Sequence, residues 1–411
     1  MKTQNPKFLI LLICFLAVSF NAVANDTIRF NVKVTHTKFP FLTEIIVADG
    51  EQFIVDFGDG SGNKVFEGKD RWQEIRYFYD VEKDYTVTIT AKSEDCIITH
   101  LWIYSISNSY YITNLDVSKC TSLQGLYCLN QKLTTLDLSN NTALITLNCF
   151  SNQLINLDLS NNYYLCALDC SHNLLSSLDL SSNNELVSFE CTDNQLSNLI
   201  LSNNNKINIF DCHNNRLRLS DLYAIYLTIN PKWGDFIRFG EQLLTSHTIE
   251  VYEQIDYSLE KEFFEIATIF TIKKDSLSIP ENDYAINGGF ITFHTKGKYQ
   301  VKMTNDAVSS FCYGNNAAKV IAEINVGNVN VPITKEEIDI KVYPNPTTGV
   351  LRVESAECQI TKIEFFDIFG GKQKAESRSQ NEIDISNLTI GAYFVEISTD
   401  YGVVVKKIVK Q

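Results

Sequence analysis

The 411-residue sequence is poor in several residue types, and each shortage excludes something. It has only two Met, three Trp and seven Pro but 19 Tyr and 25 Phe, a balance that favours strands over helices. Lys and Arg (35) are outnumbered by Asp and Glu (49), and the net charge of −14 argues against a nucleic-acid partner, which needs a basic face. No stretch after residue 24 is apolar enough to span a bilayer, so no transmembrane segment is expected in the mature chain.

Signatures of common catalytic and metal sites are also missing from the sequence. There is no Gly-x-Ser-x-Gly elbow, no phosphate-binding loop and no His-Glu-x-x-His motif. Among the six His, only His213 has a Cys beside it, and Cys212 and His213 would face opposite ways on a strand. We therefore expect no catalytic residue, no metal site and no cofactor.

Residues 1–24 predict a signal peptide. Lys2 and Lys7 precede an apolar run that is too short for a membrane span, and Ala22-Val23-Ala24 supplies the small residues of a cleavage site. A buried N-terminal helix is the alternative for the same run. We expect a mature protein that begins near Asn25 and is secreted or attached to the outer cell surface.

Five cysteines recur every 21 residues and mark a repeat over residues 99–218. Around each one the chain reads Leu-x-x-Leu-x-Cys-x-x-Asn-x-Leu. An amphipathic helix would have a period of about 3.6 residues, so the pattern predicts stacked coils whose Leu and Cys fill one continuous core. The Asn is expected to turn inward and satisfy backbone groups where each strand bends. The cysteines are Cys128, Cys149, Cys170, Cys191 and Cys212.

This repeat resembles the leucine-rich repeats of bacterial surface proteins, and the resemblance implies a binding surface rather than a reaction vessel. A buried Cys acts as a small hydrophobic residue, so the repeat cysteines are expected to be chemically quiet. An odd number of cysteines remains in the rest of the mature chain, which argues against a disulfide framework. A single Cys96–Cys120 bond is the alternative.

The residues that flank the inward positions of each coil define the candidate ligand-binding face. Aromatic and apolar side chains of the N-terminal coils are expected to anchor a partner, and acidic side chains of the C-terminal coils to attract its basic groups. An ordinary mixed sheet surface explains the same residues equally well. The candidates are Tyr127, Leu129, Asn148, Phe150, Asp169, Glu190, Asp211 and His213.

A second register, Leu-Asp-Leu-Ser, lies between the cysteine blocks, so each coil has two near-equivalent sides. Its acids each precede a Ser by two residues, which indicates a repeated local hydrogen bond, with a bound cation as the alternative. These acids are Asp116, Asp137, Asp158 and Asp179.

Residues 25–98 read as short alternating strands. The strand that ends at Phe57 runs into a Gly-Asp-Gly turn, and Asp84–Ala91 alternates outward Thr with inward apolar residues. This stretch resembles the PKD domain, an immunoglobulin-like β-sandwich common in bacterial surface proteins. Asp56 and Asp59 are expected to accept backbone hydrogens in the turn rather than to bind a metal.

Two segments follow the repeat. Residues 219–234 predict a short capping helix and a linker, with Ser220 as N-cap and the end of the helix before Pro231. Residues 235–330 are interpreted as a possible immunoglobulin-like β-sandwich, because Gly297-Lys298-Tyr299-Gln300-Val301 has a Gly-x-Tyr-x-Val spacing.

Residues 338–411 open with Val-Tyr-Pro-Asn-Pro-Thr-Thr-Gly and end in strands separated by Gly391 and Gly402. Over its full length this segment resembles the C-terminal sorting domain of the type IX secretion system. The resemblance implies a compact β-sandwich that the outer-membrane secretion machinery recognises before the cargo is released or attached to the surface. The predicted sorting-motif residues are Pro344, Asn345, Pro346 and Gly349.

Together these patterns predict a mainly β protein, a leucine-rich repeat solenoid flanked by immunoglobulin-like β-sandwich domains. The predicted function is non-enzymatic recognition or adhesion at the cell surface or after secretion, with a protein or glycan bound to the repeat face. Two alternatives stay open. One is an extracellular hydrolase, or an accessory module of one, with a site in residues 235–330; the other is a structural surface-coat component.

Overall fold

The computed structural model describes residues 26–105, 108–201, 204–232, 234–279, 283–309, 317–327, 340–345, 347–355, 360–367, 372–377, 382–399 and 402–411. The chain divides into two compact units, residues 1–327 and 328–411. The predicted signal peptide and Pro346 lie outside the described residues.

Eight strands form two packed sheets at the start of the first unit. Alternation in β1 turns Ile28, Phe30 and Val32 into the core, and the ring of Phe30 lies 5.8 Å from that of Phe41 in the facing sheet. One sheet has the order β4-β3-β6-β1-β8, and the other contains β5, β2 and β7. The strands are β1 Thr27–Val34, β2 Phe41–Val47, β3 Gln52–Asp56, β4 Lys64–Glu67, β5 Gln73–Tyr77, β6 Asp84–Ala91, β7 Ile98–Ile103 and β8 Tyr110–Asp116.

The turn after β3 has the geometry that its sequence predicts. Asp56 Oδ1 accepts the backbone N–H of Gly58 at 2.8 Å, and Asp59 Oδ1 accepts that of Ser61 at 2.9 Å. These bonds confirm the turn-forming role of both acids.

The repeat forms parallel coils, each of which adds one three-residue strand to a growing sheet. Equivalent residues of successive coils pair directly across the sheet, so Leu126, Leu147 and Leu168 align in the core. The pairing β12–β14 makes a small second sheet on the other side of the coils. The strands are β9 Gly125–Tyr127, β10 Thr146–Asn148, β11 Ala167–Asp169, β12 Ser177–Asp179, β13 Ser188–Glu190, β14 Asn198–Ile200, β15 Ile209–Asp211 and β16 Phe236–Arg238.

The five repeat cysteines are free thiols and fully buried, as predicted. Burial raises the pKa of Cys128 to about 12 and raises the pKa of Cys149, Cys170 and Cys191 well above the ordinary value. Cys96 is also a free buried thiol, and so is Cys120, so the bond between them that the sequence left open does not form.

The inward asparagines tie neighbouring coils together, which confirms their predicted role. Asn173 Nδ2 donates to the carbonyls of Cys149 (3.0 Å) and Cys170 (3.1 Å), and its Oδ1 accepts the N–H of Leu154 at 3.0 Å. Asn152, Asn194 and Asn215 repeat this pattern. Gln131 stands at the first slot and its Oε1 accepts the N–H of Ile112 at 2.8 Å.

A second buried asparagine row on the other side of the coils was missed by the sequence reasoning. Asn162 Nδ2 donates to the carbonyl of Asn141 at 2.9 Å, and Asn183 Nδ2 donates to that of Asn162 at 2.9 Å. Asn204 continues the row at 2.8 Å. Each coil is therefore hydrogen-bonded to its neighbour on both sides. The recurrence of Asn at the same 21-residue interval is the sequence signal that indicates this row.

The helix α1 (Leu219–Ile229) covers the end of the solenoid and buries Leu222, Ile225 and Ile229. The predicted N-cap is wrong: Arg218 holds that position, and Asp221 Oδ2 accepts its backbone N–H at 2.8 Å. Ser220 lies in the first turn, where its N–H and hydroxyl both donate to the Glu260 carboxylate at 2.7 Å. The helix ends before Pro231, as predicted, with Asn230 in a left-handed conformation.

Strand β16 pairs in parallel with β15, so residues 236–238 extend the solenoid sheet by one more strand. The rest of the first unit forms a six-stranded sheet and two smaller sheets. Their strands are β17 Glu241–Leu243, β18 His247–Ile249, β19 Gln254–Asp256, β20 Glu262–Phe263, β21 Ile266–Ala267, β22 Ile269–Lys274, β23 Leu277–Ser278, β24 Tyr284–Asn287, β25 Phe290–Phe293, β26 Gly297–Thr304 and β27 Lys319–Val326, with a short helix α2, Asp306–Ser309, between the last two.

The second unit consists of two four-stranded sheets, β28-β29-β33-β32 and β31-β30-β34-β35, around a core of its own. Leu351, Phe365 and Ile397 belong to that core. Its strands are β28 Ile340–Tyr343, β29 Val350–Ser355, β30 Ile360–Asp367, β31 Lys372–Gln373, β32 Glu376–Ser377, β33 Glu382–Asp384, β34 Gly391–Thr399 and β35 Gly402–Lys410.

Candidate recognition surface

One nine-stranded sheet runs from the N-terminal sandwich through the whole solenoid, in the order β16-β15-β13-β11-β10-β9-β7-β2-β5. Strand β7 of the sandwich pairs in parallel with β9, which aligns Leu101 with Leu126 in the core and Trp102 with Tyr127 on the opposite side. We call that opposite side the open face. The sandwich therefore enlarges the face that the sequence confined to the repeat.

The open face carries one row of side chains in continuous cross-strand register, called here the open row. Adjacent strands lie about 4.8 Å apart, so the row is about 38 Å long. Its members, in strand order, are Glu74, Glu44, Trp102, Tyr127, Asn148, Asp169, Glu190, Asp211 and Arg238.

Most of the predicted ligand-binding residues lie half-buried on this face. Tyr127, Asn148, Asp169, Glu190 and Asp211 are all in the open row, and of these only Asp211 is buried. Leu129, Phe150 and His213 follow the cysteines of their coils and are partly exposed beside that row. The structure thus brings the eight predicted residues to one side of one sheet.

An aromatic cluster lies where the sandwich meets the solenoid. The ring of Trp72, from the segment before β5, lies 6.0 Å from Trp102 and 5.8 Å from Tyr127, in edge contacts near 70°. Trp102 also lies 5.2 Å from Tyr104. Burial raises the pKa of Tyr127, and burial together with a hydrogen bond to Glu44 raises the pKa of Tyr104 to about 12.

Trp72 and Trp102 are the members of this cluster that the sequence reasoning missed. They lie before the first cysteine coil, in segments without the 21-residue signature, and the β7–β9 pairing brings them to Tyr127. Burial also lowers the pKa of the neighbouring His100 to about 4, so its imidazole is neutral at physiological pH.

The C-terminal end of the face is polar and internally paired. Arg238 Nη1 donates a hydrogen bond to Asp211 Oδ2 at 3.2 Å, and Asp211 Oδ1 lies 2.6 Å from His213 Nδ1. In the two preceding coils, His172 Nε2 lies 3.3 Å from the Asp193 carboxylate. Because Asp211 is buried whereas Asp169 and Glu190 are half-buried, these two acids expose more of their carboxylate surface than Asp211 does.

The second acidic row, on the other side of the coils, forms local turns. Asp137 and Asp158 accept the backbone N–H of the Ser two residues later, at 3.0 Å and 2.9 Å, and Asp116 and Asp179 do the same. This confirms the predicted repeated hydrogen bond. Hydrogen bonds from the side chain of that Ser and from its backbone N–H lower the pKa of all four carboxyls. Within the described residues, no group of three His, Cys, Asp or Glu is arranged to hold a metal ion.

Two of the predicted sorting-motif residues contact the rest of the second unit. Asn345 Nδ2 donates to the Lys407 carbonyl at 2.9 Å, and its Oδ1 accepts the N–H of Val409 at 2.8 Å. A side chain at Gly349 would place its Cβ 2.7 Å from Ser386 Oγ. Pro344 lies beside Asn345 in the same bend after β28. The opening motif is thus fastened to the last strand, β35.

The described part of the chain contains no helix long and apolar enough to cross a membrane.

Among solved structures, the chain is similar to the functional domain of InlJ from Listeria monocytogenes, which includes a cysteine ladder. The identity is 23%, the match covers 52% of this chain and 46% of that domain, and the TM-score is 0.36. The Listeria monocytogenes internalin-like protein lmo2027 is 16% identical over 52% of this chain and 74% of its own, with a TM-score of 0.29. The fibronectin(III)-like modules of Clostridium thermocellum CbhA are 12% identical over 41% and 90%, with a TM-score of 0.15. This chain therefore spans about half of the InlJ domain that it matches.

No curated protein matches the chain in sequence. Residues 341–411, however, match the family described as the secretion system C-terminal sorting domain. This segment is therefore a type IX secretion C-terminal sorting domain, as its sequence predicts. It interacts with the secretion machinery, and the protein is exported to be attached to, or released from, the outer cell surface.

Proposed function

We propose that this exported protein is a non-enzymatic recognition or adhesion protein that binds a protein or glycan through the open face. The observation that carries the proposal is the continuous sheet from β5 to β16, which presents one aligned row of aromatic and acidic side chains. A rigid face of this kind lowers the conformational cost of binding, because its side chains are already in place.

The same proposal assigns parts to the segments of the chain. Residues 99–218 are assigned to the leucine-rich repeats, residues 25–98 to a PKD-like sandwich whose two sheets also include β7 and β8 from the start of the next segment, and residues 235–330 to a second immunoglobulin-like domain. Residues 219–234 form the capping helix and linker. In the sorting domain, residues 338–411, we assign recognition by the secretion machinery to Pro344, Asn345, Pro346 and Gly349.

Tyr127 and Phe150 are the residues whose removal tests the proposal. Both rings are partly exposed on the open face, and Phe150 also packs edge-on against His172, with 4.8 Å between ring centroids. Buried aromatic contacts dominate many interfaces, so their loss should cost most of the affinity for a ligand on this face.

The experiment applies the purified chain from Asn25 onward to arrays of extracellular proteins and glycans. We expect at least one component to bind, and Tyr127→Ala with Phe150→Ala to weaken that binding at least about tenfold. The matched control removes one exposed Tyr and one exposed Phe elsewhere, Tyr163→Ala with Phe264→Ala, and should change nothing. Equal losses in both double variants, or no bound component, would contradict the proposal, as would turnover of an added substrate.

A further inference from the structure

The open row has an aromatic centre with carboxylates on both sides of it. Trp102 and Tyr127 occupy the centre, and Trp72 packs against both rings from outside the row. Glu44 stands directly opposite Trp102 on the sandwich side. On the solenoid side, Asn148 separates Tyr127 from the acids that follow.

The sandwich end of the row is acidic. Glu44 and Glu74 face each other across the β2–β5 pair. The Tyr104 hydroxyl donates to Glu44 at 3.1 Å, and Arg76 Nε donates to Glu74 at 2.9 Å. Glu74 is thus partly offset by a cation, whereas the hydroxyl on Glu44 leaves its negative charge in place.

The solenoid end of the row is acidic as well. Asp169 lies opposite Glu190, which lies opposite Asp211. Arg238 pairs with Asp211, and Asp169 accepts neutral donors: the Asn148 amide at 3.4 Å and the Ser171 N–H at 3.1 Å. Carboxylates directly opposite one another on neighbouring strands repel. A cationic partner would relieve that repulsion, and a neutral one would not.

We propose that the open row binds an extended, arginine-rich polypeptide segment, and that Trp72, Trp102, Glu44 and Glu74 of the sandwich belong to this site. The inference rests on the proposed function, because it specifies the ligand of the same face. Guanidinium groups stack on aromatic rings and form paired hydrogen bonds with carboxylates. Arg side chains can therefore bind both the aromatic centre and the carboxylates of the row.

The length of the row also fits a polypeptide. An extended chain rises about 3.3 Å per residue, so a segment of about 12 residues covers the 38 Å from Glu74 to Arg238. A neutral glycan would gain from the aromatic centre alone and would bring no cation to the carboxylates at either end. An acidic glycan would be repelled by them.

The first test removes charge at two matched places. The probe is a 12-residue peptide of alternating Arg and Gly, and its affinity for the chain from Asn25 onward is measured by fluorescence anisotropy at low and high salt. Asp169→Asn with Glu190→Gln removes two charges from the open row while keeping an acceptor for the Ser171 N–H. Asp158→Asn with Asp179→Asn removes two charges from the other side of the coils and likewise keeps the turn acceptors.

We expect the open-row variant to bind the peptide at least about tenfold more weakly, and the control variant to bind within about twofold of the unmodified chain. Equal weakening in both variants would mean attraction to overall negative charge and would overturn the inference.

The second test concerns the sandwich residues. Trp72→Ala should weaken peptide binding about tenfold, and Trp72→Phe, which keeps a ring against Tyr127, should retain most of it. If a neutral chitin oligosaccharide binds the face with the same dependence on Trp72 while the arginine peptide does not, the inference fails although the proposed function stands. If Tyr127→Ala with Phe150→Ala changes no binding of any kind, the proposed function fails with it.

Discussion

At the scale of single residues, the inward asparagines supply the backbone hydrogen bonds that the pairing of a longer strand would otherwise supply. Each coil contributes only three residues to the sheet, so most of its backbone groups lie outside strand pairing. Asn173 satisfies two carbonyls and one N–H from within the core. Buried polar backbone groups must be paired, so these side chains are structural requirements of the repeat.

The asparagine account predicts a large loss of stability on truncation. Asn173→Ala leaves the buried Leu154 N–H without its partner and takes one of two Asn donors from each of two carbonyls, which should cost about 4 kcal/mol of the free energy of unfolding. Urea unfolding followed by circular dichroism measures this. The control is Asn156→Ala in the preceding coil, where the side chain is exposed and the change should stay within about 0.5 kcal/mol. Similar losses at both sites would contradict the assigned role.

The repeat cysteines are predicted to be inert in the folded protein. Alkylation requires the thiolate, and burial both blocks access and raises the pKa of Cys128 to about 12. Iodoacetamide at pH 8, with modified peptides identified by mass spectrometry, should label none of the five without denaturant and all of them in guanidinium. Native-state labelling of Cys149 or Cys170 at the rate of a free thiol would show that the core is not closed.

At the scale of elements, α1 shows which features a local reading of the sequence misses. Ser220 has the right chemistry for an N-cap, but Arg218 takes the position because Glu260, 40 residues away, binds Ser220 in the first turn. The parallel pairing of β7 with β9 also joins residues that are far apart in sequence. The Leu, Cys and inner Asn positions were predictable because the repeat keeps them in phase, whereas Trp72, Trp102 and Glu260 lie outside the cysteine blocks.

The buried Glu260 gives the contact with α1 a pH dependence. Desolvation raises the pKa of Glu260 above its ordinary value of 4.5, so the folded state binds its proton more tightly than the unfolded state. The stability that this group contributes is therefore full at low pH and declines as pH rises through 4.5 towards the raised value.

Glu260→Gln removes this titration. The quantity to measure is the melting temperature of the unmodified chain minus that of Glu260→Gln. This difference should decrease by about 2 °C between pH 4 and pH 7. Glu262→Gln, at an exposed position two residues later, serves as control and should show a constant difference. A difference for Glu260→Gln that is constant or rises with pH would contradict the burial argument.

At the scale of the whole molecule, the sorting domain and the open face belong to separate units of the chain. Residues 341–411 form the sorting domain within the second unit, with a core that does not include residues of the first. The open face belongs entirely to the first unit. The sequence identified the sorting domain and the repeat side of the face, because both carry recognisable motifs. It could not show that the sandwich completes the face, since that depends on one parallel strand pair.

The central claim is that the open face is where this protein meets its partner. Hydroxyl-radical footprinting of the chain from Asn25 onward, with and without a ligand returned by the arrays, tests it most directly. The account predicts that bound ligand protects Tyr127 and Phe150 from oxidation and leaves the exposed rings of Tyr163, Tyr252 and Phe264 unprotected. Protection of Tyr252 or Phe264 with Tyr127 and Phe150 unchanged would place the binding site elsewhere and contradict the account.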